Sequence, residues 1–163
     1  MEASPNVERE QLLWKLLNEV KDPEIPPVSM VEMGMIYAVQ EQDGVITVEV
    51  LPTFLGCPAL EIMRLAIVEK LSSIEHVFEV QVQFRYDPAW SSNRISDPAR
   101  EKLKQFGIAP PPRNHNPEDP WEIECPYCNS PYTTLDNLFG PAACRSILYC
   151  KSCKNPFEAL KPV

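Results

Sequence analysis

Histidine is nearly absent from the chain. Its only two histidines, His76 and His115, both stand far in sequence from Cys57, so a Cys-His catalytic pair has no local support. Basic runs are missing as well. With 15 Lys and Arg against 23 Asp and Glu, a formal charge of −8 and a pI near 4.8, the chain has no electrostatic footprint for a phosphate backbone, which argues against a nucleic-acid partner. No stretch approaches the roughly eighteen consecutive apolar residues of a membrane span. The opening Met1-Glu2-Ala3-Ser4-Pro5 lacks the basic start and apolar run of a secretory signal. A soluble, cytoplasmic protein with no membrane partner is expected. No internal repeat is visible either.

What the chain does have is enough apolar content for a core, 44% of its 163 residues, and six cysteines. Five of the six fall in the last forty residues and four of those form two C-x-x-C pairs, a distribution that reads as a metal site in a reducing compartment rather than as a disulfide framework. The sixth, Cys57, stands apart. A strand pattern, Val45-Ile46-Thr47-Val48-Glu49-Val50, runs into Leu51-Pro52-Thr53-Phe54-Leu55-Gly56-Cys57-Pro58. A helical pattern with Ala59, Ile62, Met63, Ala66, Ile67 and Leu71 runs out of it.

Pro58 suits a first helical position, which places Cys57 at the N-cap or next to it, where unpaired N–H groups and the helix dipole favour a thiolate. Gly56 allows the tight turn before it. Cys57 has two readings at this point: a nucleophile or metal ligand, or a small half-buried residue filling a corner.

Along the chain, Ser4-Pro5 reads as a helix start, and Leu12, Leu13, Leu16, Leu17 and Val20 form its apolar stripe until Lys21-Asp22-Pro23 ends it. Asp22-Pro23-Glu24-Ile25-Pro26-Pro27-Val28 reads as an extended, stiff loop carrying two carboxylates. The apolar run from Val31 to Ala38 and the Asp43-Gly44 dipeptide predict a hairpin with the strand at Val45. Phe78, Val80, Val82, Phe84 and Tyr86 alternate with polar residues and predict a third strand, parallel to the second because a helix crosses between them.

Ser96-Asp97-Pro98 starts a short helix with Leu103 and Phe106 facing inward and Gly107 at its end. The fold class expected is α+β: a two-layer α-β-β-α-β-α domain with a small mixed sheet over residues 1–108. A proline-rich linker, 109–120, and a zinc ribbon, 121–163, follow it.

Cys125, Cys128, Cys150 and Cys153 have the residue type and pairing of a closed tetrahedral thiolate site, which lets a segment with few core side chains fold. Structural zinc is the reading, with a rubredoxin-like iron site as the alternative; neither C-x-x-C has the helix context of a thioredoxin motif. Asn129 can take up the left-handed conformation after the first knuckle. Cys144 is left over as a buried spare, a fifth candidate ligand or a second reactive thiol. Tyr132, Leu138, Phe139, Ile147, Tyr149 and Phe157 are assigned to the ribbon's small core.

Three segments, Asp22-Pro23-Glu24-Ile25-Pro26, Val31-Glu32-Met33-Gly34-Met35-Ile36-Tyr37 and Thr53-Phe54-Leu55-Gly56-Cys57-Pro58, resemble in order and spacing the small domain of cytosolic iron–sulfur assembly factors. Phe139-Gly140, Ala143-Cys144-Arg145 and Cys153 before Pro156-Phe157 are similar to the D-subunit family of the phenylacetyl-CoA ring epoxidase system. Glu32 stands where the wider family more often has aspartate, and Phe54-Leu55 replaces its common proline.

The resemblance implies an accessory protein of phenylacetate degradation. It would deliver or mature iron centres, di-iron or iron–sulfur, in the epoxidase subunits or their reductase. It also implies a reactive Cys57 with Thr53, Asp22 and Glu24 around it as a transient iron or iron–sulfur cluster site. One thiolate per chain suits a site shared across a homodimer or a brief handover complex. Two other functions stay open: a non-catalytic docking subunit whose Cys57 is structural, and a thiol enzyme, for which no general base is legible.

Overall fold

The computed structural model describes residues 5–116 and 118–163, with side chains from Val7 onward within the first helix. The expected cap at Ser4 lies outside them. Two compact units divide between Trp90 and Ser91.

In the first unit, helix α1 (Pro5–Leu17) buries Leu13, Leu17 and, just beyond it, Val20, while Leu12 is exposed. The helix ends before Lys21 because its last turn tightens: Glu19 N–H donates to Leu16 O and Val20 N–H to Leu17 O. The segment after it is not extended. Lys21 pairs with Ser29 in an isolated bridge, Asp22 N–H donates to Val28 O at 2.9 Å, and Ile25 and Val28 are buried inside the closed loop.

Residues 30–34 form a helical turn instead of the start of a strand. Ser29 N–H donates to Glu32 Oε2 at 2.9 Å and Glu32 N–H to Ser29 Oγ at 3.0 Å, a reciprocal capping box. The turn seats Met30, Met33 and Met35 in the core, and buried Trp90 donates its indole N–H to Met33 O at 2.9 Å.

Strands β1 (Ile36–Gln42) and β2 (Val45–Val50) form the expected antiparallel hairpin, with Asp43 at φ 51° and Gly44 at φ 78°. A Cβ on Gly44 would meet the Phe78 ring at 2.4 Å, and Gly44 O accepts from Phe78 N–H, so the hairpin turn also anchors the start of β3. Helix α2 (Leu60–Ser72) buries Met63, Ile67 and Leu71 and crosses to β3 (Glu79–Phe84), which lies parallel to β2 in the order β1-β2-β3. As an outer strand, β3 leaves Val80, Val82 and Phe84 only half-buried, and Phe78 is 83% exposed.

The second unit begins with a 3₁₀ turn, Ser92–Arg94, and helix α3 (Asp97–Gln105), capped by Ser96 Oγ accepting from Ala99 N–H. Strands β4 (Ile108–Ala109), β5 (Thr133–Asn137), β6 (Arg145–Cys150) and β7 (Pro156–Leu160) form a sheet in the order β4-β7-β6-β5; β4 runs parallel to β7, and the other pairs are antiparallel. Helix α3 was expected in the first domain and residues 109–120 as a linker, but both are tied into this unit. Ser92 N–H donates to Val163 O at 2.9 Å. Buried Arg100 donates to Pro111 O at 2.6 Å and Ser92 O at 2.9 Å, and Arg113 pairs with Asp97. The proline-rich composition concealed the ties of residues 109–120, because one runs from the Arg100 side chain to the Pro111 carbonyl and the other from Arg113 to a residue far off in sequence, Asp97.

Candidate functional site

Two C-x-x-C turns face each other across the ends of β5, β6 and β7. In each, the residue after the second cysteine is left-handed, Asn129 at φ 56° and Lys154 at φ 62°. Each closes the same ring: Asn129 N–H donates to Cys125 O at 2.9 Å and Lys154 N–H to Cys150 O at 3.0 Å. Asn129 is as expected. Lys154 was missed, although its place after Cys153 mirrors Asn129 after Cys128 and was the available signal.

The turns bring Cys125, Cys128, Cys150 and Cys153 together with all four Sγ atoms within 4.8 Å of one another. Cys125 and Cys153 lie 3.7 Å apart and Cys128 and Cys150 3.6 Å. A tetrahedral ion with metal–sulfur bonds of about 2.3 Å needs sulfurs about 3.8 Å apart, so the donor set fits zinc. Ser130 and Ser152 share a 2.7 Å hydroxyl hydrogen bond that ties one turn to the other.

Without an ion the Cys125 and Cys150 thiols are inequivalent. Backbone N–H groups, that of Cys153 foremost, pull Cys150 down to about 6, while burial pushes Cys125 up to about 12. A cation binding all four as thiolates therefore has to displace at least the Cys125 proton.

The core beneath the turns is Ala109, Ile123, Cys125, Leu148, Cys150, Phe157 and Ala159, with Trp121 and Cys153 against it. This corrects the expected core. Phe157 belongs to it, Ile147 and Tyr149 are half-buried, and Tyr132, Leu138 and Phe139 are exposed, because β5 is an outer strand and Phe139 lies in the loop leaving it. Cys144 is half-buried and its carbonyl accepts from Lys161 N–H; its sulfur is not part of the four-cysteine group.

Cys57 lies at the β2–α2 corner, half-buried, after Gly56 at φ 75°. The helix N-cap is Ala59, not Cys57: Pro58 and Ala59 form a turn in which Leu60 N–H donates to Cys57 O, so the thiol stands two residues before the cap. Thr53 is half-buried in the same loop.

Asp22 is buried, and its Oδ1 accepts from the N–H groups of Glu24 at 2.8 Å and Ile25 at 3.1 Å. That makes it the organiser of its own loop. Glu24 is half-buried beside it. Among the described residues the four ribbon cysteines are the one group of three or more His, Cys, Asp or Glu side chains close enough to hold an ion, so Cys57, Asp22 and Glu24 do not form a second.

Comparison with known proteins follows the same division of the chain. Residues 10–84 match the family described as iron–sulfur cluster assembly protein, and residues 109–161 match the PaaD zinc beta ribbon domain. The chain is 37% identical over 150 residues to a putative 1,2-phenylacetyl-CoA epoxidase D subunit of Escherichia coli (strain K12), covering 91% of this chain and 90% of that one. It is 31% identical over 98 residues, 60% of this chain and 92% of the other, to an Fe-S protein maturation auxiliary factor of Porphyromonas gingivalis (strain ATCC BAA-308 / W83). Among solved structures, the DUF59 domain of unknown function from Bacillus anthracis is similar with a TM-score of 0.56 and 28% identity, over 60% of this chain and 93% of that one.

Proposed function

The chain belongs to the PaaD family, the D subunits of phenylacetyl-CoA epoxidase systems, and from that premise we propose that it is an accessory protein that matures an iron centre, iron–sulfur or di-iron, of the epoxidase subunits or their reductase. The observation that carries this reading is the half-exposed thiol of Cys57, at a strand-to-helix corner within the part of the chain that matches iron–sulfur assembly proteins. A thiol that is reachable and not enclosed by further ligands suits a transient contact with iron, which must leave again for the client. Thr53 stands in the same loop. Asp22 contributes by fixing the neighbouring loop and Glu24 by its carboxylate. Cys125, Cys128, Cys150 and Cys153 hold zinc in a structural role, cross-linking the two ribbon turns. The site of action is the cytoplasm, with transfer inside a handover complex.

The test compares epoxidase complex purified from cells making the wild-type chain, Cys57→Ala or no copy. Iron per complex and epoxidase activity should fall with Cys57→Ala to the level of the deletion, while the complex itself stays assembled. Wild-type iron content with the alanine variant would sink the reactive-thiol role. A second reading, a docking subunit whose Cys57 is structural, draws on the missing ligand group around Cys57 among the described residues.

A further inference from the structure

The charge of the chain is unevenly divided. Residues 1–90 hold 15 of the 23 acidic side chains and six of the 15 basic ones, a formal −9, whereas residues 91–163 hold nine basic against eight acidic. On the acidic unit, α2 is apolar on two sides. Met63, Ile67 and Leu71 face the core, but Ile62 is 56% exposed and Leu65 53% exposed. Three residues apart, these two are neighbours on the helix surface. The loop leading into the helix adds Phe54, 42% exposed, and Leu55, 71% exposed, on the residues just before Gly56 and Cys57. Both cations of α2 are paired, Arg64 with Glu61 and Lys70 with Glu19, and the formal −9 already counts them.

We propose that Phe54, Leu55, Ile62 and Leu65 form the surface on which the client protein docks, and that the client presents there an apolar patch rimmed with Lys and Arg. The inference rests on the maturation reading above and adds to it the chemistry of the partner. Large apolar side chains left in water beside a half-exposed thiol gain by being covered, and covering them excludes water from Cys57 during transfer. Charge selects the occupant. A second copy would bring another unit of −9 against the first, and an anionic lipid surface or a nucleic acid would be repelled in the same way, whereas a cationic rim is steered in.

The full chain, metal-loaded, is tested by interferometry against the purified epoxidase components and the reductase, each immobilised in turn. The variants are Ile62→Asp with Leu65→Asp, and separately Leu55→Ser, which lies outside the helix and leaves its fold untouched. Wild type should bind one component, and its affinity should fall by about tenfold between low and physiological salt as screening removes the steering. The double variant should bind at least about thirtyfold more weakly, and Leu55→Ser should weaken in the same sense.

Unchanged binding by both variants overturns the surface, as does affinity that is flat or rises with salt, or a wild-type chain that binds no component. If the substitutions instead alter only the chain's own sedimentation, the occupant is a second copy and the proposal fails. The iron content of the client with Cys57→Ala, measured separately, decides the maturation reading whichever way docking falls.

Discussion

The two units of the molecule are stabilised by different means. Nine of the largest fully buried side chains, from Leu13 to Leu71, belong to the first unit and three, Ile95, Leu103 and Ile123, to the second. At about 1.5–3 kcal/mol for each fully buried large apolar side chain, the first unit draws about three times as much stabilisation from such burial as the second. The second places two cysteines, Cys125 and Cys150, among the seven buried residues of its ribbon core, and burial makes a thiolate at Cys125 costly without a cation. Ribbon packing and metal binding are thus expected to be one event, whereas the first unit rests on its larger set of buried side chains.

Metal removal should separate the two units most sharply. Chelation, or Cys150→Ser, should unfold the ribbon strands β5 to β7, since four-thiolate zinc sites are worth about 10–16 kcal/mol to small domains at neutral pH. Hydrogen exchange followed by mass spectrometry should show protection lost across residues 133–160 and kept across β1, β2 and α2. Equal loss in both units would mean that the first depends on the ion too. The reverse probe is smaller. Ile67→Ala, at a fully buried position on α2, should cost about 2–5 kcal/mol in the first unit. It should leave the zinc stoichiometry and the protection of β6 unchanged. A matching loss of protection in β6 would show that the units share stability.

Much of this division can be read from residue order, and the gaps have physical causes. The four cysteines and the Asp43-Gly44 hairpin were legible because each rests on a local requirement, metal-ligand spacing or positive φ. The α2 pattern was legible for Met63, Ile67 and Leu71 but also counted Ile62, which is exposed, and passed over the exposed Leu65, because periodicity does not say what covers a face. The alternation in β3 correctly gave a strand parallel to β2 but not how far its apolar side is covered: the strand is outermost, and that side is half-buried. Ser29-x-x-Glu32 carried a capping-box signal that an apolar run obscured. Around Cys57 the sequence located the corner correctly but put the helix start two residues early, because proline suits a turn before a helix as well as its first position. For Asp22, residue order did not reveal that its Oδ1 accepts from two backbone N–H groups and so organises its own loop.

Even within the ribbon the two turns are not equal, and that inequality sets the smallest expected effect. Asn129 and Lys154 occupy the same left-handed place in matched rings, yet asparagine tolerates that conformation and lysine pays a steric penalty of about 1 kcal/mol from its Cβ against the following carbonyl. Replacing Lys154 with glycine removes that Cβ, although glycine gives back part of the gain through its looser unfolded chain. Lys154→Gly should therefore tighten zinc binding by a few-fold, up to about fivefold for 1 kcal/mol. Asn129→Gly should change it less. Competition against a chromophoric chelator reads both. If Asn129→Gly gives the larger gain, backbone strain is not what separates the two turns, and the Ser130–Ser152 hydrogen bond between them becomes the next contact to remove.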